Sequence, residues 1–326
     1  MVEQYNTSFN LEAEHYLSAK KLEEARRSGV KLIGADYDGT LYDKKEPPYD
    51  DHLRVIRLVD EVSRADVDFA IISARNTTLH VPFRELASAY SQEAGRPLTL
   101  WTSGGNGMNL SRVTFSAEGQ KVEPIFTNFI TPDQAELIVF IFDQMFHELG
   151  IEPDARNVAF FKAFLDRDLP EDLVPRPHRQ LVERYGGRYF AEAVKVTTVL
   201  PTSKEQQAEC IGYLRQRLEG FGFNIGWGGI AFADVSRRML DANGKPIDGK
   251  VLVLETILAR SNFAREQVTT FGDAPNGNDM GLLGFPKSFT NAQSFNKNGL
   301  ESPPFMLKIK DSPVGTIHEA IRYLTS

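Results

Sequence analysis

The chain has 326 residues, of which 41% are hydrophobic and 25% charged, so it has the composition of a folded globular protein of one or two domains. Its formal net charge of −7 argues against a nucleic-acid-binding protein, because no net basic field would attract a phosphate backbone. The single cysteine, Cys210, excludes a disulfide within the chain and disfavours a cysteine-based zinc site. Because no apolar run approaches the length of a membrane span and the first residues lack a signal-peptide pattern, we expect a cytoplasmic protein with no membrane partner.

The first third of the chain alternates between helical and strand patterns. A loose helical stripe at residues 10–28 predicts a helix outside the core, as an N-terminal extension over residues 1–28. Apolar runs predict buried strands at residues 32–35, 67–75 and 98–101. Helical periodicity predicts helices at residues 51–64 and 77–94. This alternation is typical of an α/β fold with a doubly wound parallel sheet.

The pattern changes after residue 110 and returns near residue 250. Between them we predict two short strands in 113–129, a strand at 193–200, a strand pair in 223–235, and helices at 133–149 and 204–219. The proline-containing residues 151–188 resist assignment. The returning part predicts helix 251–260, strand 267–273, the start of a helix at 279–283, strands 287–290 and 305–309, and helix 314–323. We therefore predict an inserted α+β module over residues 110–235 within a core formed by residues 29–109 and 236–326.

Two aspartates, Asp36 and Asp38, follow the first predicted strand directly. A short apolar run that ends in the turn signal Gly39-Thr40 is typical of a buried strand, whose carboxyl end is where open α/β sheets bind ligands. Two carboxylates this close stay ionised together only if a cation or hydrogen-bond donors compensate them, and Mg²⁺ is the simplest such cation. The alternative is an ordinary surface turn, since this pattern is common in loops.

Three further polar positions follow predicted strands or precede a helix. Ser73 ends the second strand, Lys250 precedes a helix after the insertion, and Asp273 ends a later strand. Alone, such a serine is usually a helix cap, such a lysine a solvated charge and such an acidic loop a turn. In this order, at the strand ends of one parallel sheet, they predict a single phosphoryl-transfer site.

The run from Asp36 to Thr40 resembles motif I of the haloacid dehalogenase (HAD) superfamily, and Ser73, Lys250 and Asp273 resemble its other motifs. The resemblance implies a Rossmann-like core with an inserted C2-type cap, as in Cof-like sugar phosphatases. It implies Asp36 as the nucleophile and Asp38 as the general acid/base. It also implies that Ser73, Lys250 and Asn276 hold the substrate phosphate. The implied Mg²⁺ ligands are Asp36, Asp38 (through its carbonyl), Asp273 and Asp279.

The sequence departs from the family pattern in its last motif. The second aspartate usually lies four positions after the first, where this chain has Gly277, and Asp279 lies two residues further on. Either the loop is lengthened or Asn276 takes the accessory role. We expect Asp273 to matter more for Mg²⁺ than Asp279, which reaches the ion only if the loop folds back. A rival for the motif lysine, Lys245, lies in a Gly/Pro turn.

The leading functional prediction is a Mg²⁺-dependent phosphatase acting on a small phosphomonoester, with sugar phosphates as one class. A phosphosugar mutase using the same aspartate and a non-catalytic phosphate-binding protein are the alternatives. The cap would supply specificity, and four basic residues within it or just after it either meet a second anionic group of the substrate or are solvated charges: Arg188, Lys195, Arg237 and Arg238.

Overall fold

A computed structural model describes residues 11–43, 48–75, 81–166, 171, 174–227, 232–275, 277–292, 300 and 303–326 of the chain. The helices are α1 (Leu11–Arg27), α2 (Pro48–Arg64), α3 (Val81–Ala94), α4 (Pro132–Leu149), α5 (Ala155–Leu165), α6 (Arg176–Arg184), α7 (Lys204–Leu218), α8 (Gly249–Ser261) and α9 (Pro313–Thr325). The strands are β1 (Leu32–Ala35), β2 (Asp68–Ile72), β3 (Leu98–Ser103), β4 (Asn109–Ser116), β5 (Gly119–Thr127), β6 (Tyr189–Ala191), β7 (Lys195–Val199), β8 (Phe223–Trp227), β9 (Phe232–Arg237), β10 (Val268–Gly272), β11 (Ser288–Thr290) and β12 (Phe305–Met306).

The central sheet has eight strands in the order β12-β11-β10-β1-β2-β3-β4-β5. Neighbouring strands from β12 to β3 are parallel, while β4 and β5 add an antiparallel edge. Alternate residues of β1 face opposite sides, because Ile33 belongs to one buried apolar cluster and Leu32 to another that includes residues of α8. The sheet is thus covered on both faces, and the predicted doubly wound α/β fold is confirmed.

A second sheet is antiparallel, with the order β6-β7-β9-β8. One of its faces packs on helices, since Val196 and Val235 share a buried cluster with Phe142 of α4 and Leu214 of α7. This separate sheet and its helices are the inserted α+β part of the chain.

The predicted boundary of the insertion at residue 110 is wrong. Strands β4 and β5 continue the central sheet, with Thr102 of β3 paired to Ser111 of β4. Leu110 and Val113 are buried in the clusters of the core. A short alternating strand has the same sequence pattern at the edge of a core sheet as in a cap, so the pattern alone does not assign it to either.

The remaining differences are local. Residues 151–188, which resisted assignment, contain α5 and α6, and α6 follows Pro175 and carries Pro177 in its first turn. The short strand β6 was not predicted, and the helix expected at 279–283 is only a 3-10 turn, Leu282–Gly284. Within the described ranges, no helix is long and apolar enough to cross a bilayer.

Candidate active site

Asp36 lies at the carboxyl edge of the central sheet, between the ends of two parallel neighbours. Its predecessor Ala35 pairs with Ile71 of β2 on one side and Phe271 of β10 on the other. The amide of Asp36 donates to the carbonyl of Phe271 at 3.0 Å, and its side chain is nearly inaccessible. Because parallel strands end together, the same edge also receives Ser73 and Asp273.

Lys250 connects this edge to the first turn of α8. The helix begins after Asp248, whose Oδ1 accepts from the amides of Lys250 at 2.8 Å and Val251 at 3.3 Å. The buried ammonium of Lys250 donates to Asp36 Oδ1 at 2.8 Å and to Asp279 Oδ1 at 2.6 Å. Its predicted rival Lys245 is exposed in a turn, where its amide donates to Asp241.

The lengthened loop after β10 folds back into the site. Asp279 is completely buried, and its Oδ2 accepts from the amides of Asp273 and Ala274 at 3.0 Å each. Its Oδ1 accepts from Lys250, so protein donors contact both of its oxygens. Asn276, predicted to hold phosphate, lies outside the described residues.

Asp36, Asp273 and Asp279 bring one carboxylate oxygen each within 4.8 Å of one another. Burial raises the pKa of Asp36 to about 7, and burial with the charge of Asp279 raises the pKa of Asp273 to about 7. Burial alone would lower the pKa of Lys250, but the two carboxylates it contacts raise it. One lysine cannot balance three clustered carboxylates, two of them buried and that of Asp273 half-buried, so this group of oxygens fits a hard divalent cation such as Mg²⁺.

The Asp38 side chain is held by Arg75. Arg75 Nε donates to Asp38 Oδ2 at 2.6 Å and its Nη2 donates to Oδ1 at 2.5 Å, which is a bidentate ion pair. The guanidinium also lies 5.5 Å from the ring centre of Tyr37 and 5.2 Å from that of Tyr42. Arg75 was missed by sequence reasoning, although a basic residue two positions after a strand-end serine is a usable signal.

Ser73 is buried directly after β2, where it contacts the end of β3 and the loop after it. Its Oγ accepts from the amide of Arg75 at 3.0 Å, and its carbonyl accepts from the amide of Asn106 at 3.0 Å. Its own amide donates to the Ser103 carbonyl at 2.9 Å. These bonds hold Ser73 at the carboxyl edge of the sheet, and sequence reasoning did not assign its partners.

The turn after Asp38 depends on a glycine. Gly39 has φ 79°, and a Cβ there would lie 2.2 Å from Asp273 Oδ2, so only glycine allows Asp273 this close to the turn. Asn291, at the end of β11, donates from Nδ2 to the Gly39 carbonyl at 2.9 Å. Asn291 was missed by sequence reasoning, because a lone asparagine after a weak strand carries no signal of its own.

The second sheet meets this edge through the turn between β6 and β7. A Cβ on Gly105 would lie 2.8 Å from Val194 Cγ2, so the β6–β7 turn rests on the loop after β3. Lys195 Nζ donates to the carbonyl of Ala74, which lies between Ser73 and Arg75, at 3.1 Å. Of the other cap cations singled out in the sequence, Arg188 and Arg237 are exposed, and Arg238 donates to the carbonyls of Glu219 and Phe223.

Solved structures share this architecture at low sequence identity. A protein from Plasmodium vivax described as a HAD/COF-like hydrolase aligns with a TM-score of 0.54 and 17% identity, covering 93% of this chain and 98% of that one. A haloacid dehalogenase-like hydrolase from B. subtilis gives 0.52 and 16%, covering 89% and 99%. N-terminally truncated IMP-nucleotidase from Plasmodium falciparum gives 0.51 and 14%, covering 96% and 75%.

Neither a protein-family model nor a curated protein matches the chain. The likeness to solved structures therefore concerns the fold, and it agrees with the motif resemblance in the sequence. The chain has the fold of the HAD-superfamily hydrolases.

Proposed function

We propose that the protein is a Mg²⁺-dependent phosphatase that hydrolyses a small phosphomonoester through a phosphorylated Asp36. The observation that carries the proposal is the buried contact of Asp36 with Lys250 and its closeness to Asp273 and Asp279 at the carboxyl edge of the sheet. Hydrophobic residues would fill this position better than a buried, ion-paired carboxylate, so packing alone does not account for Asp36. It is the arrangement that phosphoryl transfer to a carboxylate requires.

The proposed metal would be held by Asp36, Asp273, Asp279 and the carbonyl of Asp38. When bound, Mg²⁺ supplies positive charge that lets an anionic carboxylate approach an anionic phosphate. Lys250 already contacts Asp36, and together with Ser73 it offers donors where charge develops on the phosphoryl oxygens.

The reaction then has two steps that use the two aspartates of motif I. A carboxylate oxygen of Asp36 forms a bond to phosphorus while the bond from phosphorus to the ester oxygen breaks, and protonated Asp38 gives its proton to that leaving oxygen. Ionised Asp38 next takes a proton from a water molecule. That water attacks the phosphorus of the aspartyl phosphate and releases inorganic phosphate, which restores Asp36. Arg75 orients the Asp38 side chain between the steps.

The test replaces the nucleophile without changing its shape. Asp36→Asn removes the attacking oxygen anion, so phosphate release from p-nitrophenyl phosphate or a panel of phosphometabolites should fall at least about a thousandfold. Asp66→Asn, at a largely exposed side chain, is the matched control and should keep full activity. Activity within about tenfold of wild type in a folded Asp36→Asn variant would falsify the assignment. Isomerised phosphosugar without release of phosphate would indicate the mutase alternative.

A further inference from the structure

Four polar side chains of the cap lie together where the second sheet meets the catalytic edge. We name Glu192, Lys195, Thr197 and Asp234 the cap polar cluster. Lys195 and Thr197 alternate on β7, and Thr197 pairs directly with Asp234 of β9, so these three share one face of the sheet. The opposite face carries Val196 and Val235, which pack on the cap helices.

The cluster is joined to the loop that carries Ser73. Thr197 Oγ1 donates to Asp234 Oδ1 at 2.5 Å, and Lys195 Nζ donates to Asp234 Oδ2 at 3.3 Å. The same ammonium donates to the Ala74 carbonyl, one residue from Ser73. The cluster therefore lies next to the position where the phosphoryl group is proposed to bind.

Glu192 supplies an unused acceptor at this place. The residue is 5% exposed, and its Oε2 has no hydrogen-bond partner among the described residues. A buried carboxyl oxygen without a donor is costly, so the site lacks a hydrogen-bond donor that a ligand can bring. Burial raises the pKa of Glu192 to about 7, against the opposing effect of Lys195.

The charge of the cluster decides what kind of group it would bind. Lys195 is the one cation among its four members, facing two carboxyl groups. Burial alone would lower the pKa of Lys195, but Asp234 and Glu192 raise it, so its charge is already balanced. A second phosphate or carboxylate would meet these carboxyl groups with no free cation from the cluster. Hydroxyl groups can donate to Glu192 and Asp234 and accept from Lys195 without that repulsion.

We propose that the cap polar cluster is the specificity site for the leaving group and that it selects an uncharged group carrying several hydroxyls over a group with a second anion. The inference rests on the proposed phosphatase function, because the cluster would contact the part of the substrate beyond the ester oxygen. It replaces the sequence-based alternative in which Lys195 meets a second anionic group.

Three substrates of equal chain length test the site: a hexitol monophosphate, hexyl phosphate without hydroxyls, and a hexitol bisphosphate. We expect kcat/KM to be highest for the hexitol monophosphate. In Lys195→Met, the ratio of kcat/KM for hexitol monophosphate to that for hexyl phosphate should fall roughly 10- to 100-fold, the effect of losing a hydrogen bond to a charged group. Glu192→Gln should lower the same ratio. Lys204→Met, at an exposed cap lysine at the start of α7, is the control and should leave the ratio unchanged.

Two results would overturn the proposal that the cap polar cluster selects the leaving group. One is an unchanged ratio in Lys195→Met, or an equal loss for both substrates, which would mean that Lys195 only supports the Ala74 loop. The other is a wild-type preference for the bisphosphate.

The affinity of Asp36→Asn for hexitol monophosphate, measured by calorimetry, tests the cap polar cluster independently of the proposed phosphatase activity. A lower affinity on adding Lys195→Met supports the cap site even in a chain that releases no phosphate. An unchanged affinity overturns the cap site and leaves the phosphatase proposal standing.

Discussion

At the scale of single residues, Arg75 decides where the Asp38 carboxyl group can point. Its planar guanidinium binds both oxygens of Asp38 and lies against Tyr37 and Tyr42, so the side chain of the proposed general acid/base is held in one orientation. A lysine would keep the charge but not the two-point contact, because its ammonium is a single flexible point charge.

Arg75→Lys should therefore impair the proton transfer to the leaving oxygen. For an alkyl phosphate, whose leaving group needs a proton, we expect kcat to fall about 10- to 100-fold. For p-nitrophenyl phosphate, whose leaving group departs as a stable anion, the loss should be much smaller. Arg184→Lys, in an exposed ion pair with Glu136, is the control. Equal losses for both phosphates would contradict this prediction, because they would place the effect of Arg75 on a step that the two substrates share and not on proton transfer to the leaving oxygen.

Asp273 and Asp279 have different roles in the structure, and substitution separates them. Asp279 accepts from Lys250 through one oxygen and from two amides through the other, so an asparagine amide there must face a donor. We expect Asp279→Asn to cost about 3–5 kcal/mol of the free energy of unfolding, as for other broken buried ion pairs. Asp273→Asn should keep the fold and raise the Mg²⁺ concentration needed for half-maximal activity. Denaturant unfolding and Mg²⁺ titration of both variants check this, and equal effects on both measures would refute the division of roles.

At the scale of elements, the start of α8 is positioned by a contact between two glycines. A Cβ on Gly249 would lie 2.2 Å from the Asn106 carbonyl oxygen, and one on Gly107 would lie 2.1 Å from the Gly249 carbonyl carbon. The loop after β3 can therefore lie directly against the first turn of the helix that carries Lys250. The same loop bonds Ser73 through the Asn106 amide, so one loop positions both proposed phosphate-binding residues.

Gly249→Ala should force these two elements apart. We expect a loss of about 1–3 kcal/mol in the free energy of unfolding, typical of overpacking, and a lower kcat because Lys250 moves away from Asp36. Gly212→Ala is the matched control, since Gly212 lies in α7 with open space at its Cβ position. There alanine should stabilise the protein by about 0.5–1 kcal/mol. A Gly249→Ala variant with wild-type stability and activity would contradict the contact.

The elements also show how far the sequence alone could lead. The apolar runs of β1, β2 and β10 end directly at Asp36, Ser73 and Asp273, so periodicity and motif order suffice to place the core strands and these residues. The pattern does not distinguish the β4–β5 edge of the core sheet from cap strands, because pairing partners decide that. Asn291 and Glu192 gain their positions only from contacts across the fold, and no local pattern marks them, whereas Arg75 follows the strand-end Ser73 by two residues.

At the scale of the whole molecule, the site exists only when distant parts of the chain are together. Lys250 and Asp36 are 214 residues apart in sequence, and the entire inserted unit lies between them. Folding therefore gathers the three carboxylates and the lysine in a largely buried place, and it costs free energy to keep those carboxylates charged there. The free energy of unfolding should therefore depend on whether these carboxyl groups are charged.

The last prediction concerns pH and Mg²⁺. In the metal-free protein the pKa of Asp36 and that of Asp273 are each raised from 3.8 to about 7, mainly by burial. The folded state then binds more protons than the unfolded state between those values, so stability should decrease as the pH rises from about 4 to 7 and stay low above it. Mg²⁺ at the proposed site would bind the ionised carboxylates and remove this cost, so the increase in Tm on adding Mg²⁺ should be larger at pH 8 than at pH 5.5.

Thermal unfolding with and without Mg²⁺ at matched ionic strength measures this difference directly. Asp273→Asn removes one of the two titrating groups, so its metal-free Tm should depend less on pH and respond less to Mg²⁺ at pH 8. The control Asp66→Asn, whose carboxylate is exposed, should follow the wild type. A Mg²⁺ effect that is the same at both pH values would mean that the ion binds elsewhere. The buried carboxylates at the edge of the sheet would then not be the metal site, because binding there must displace their protons.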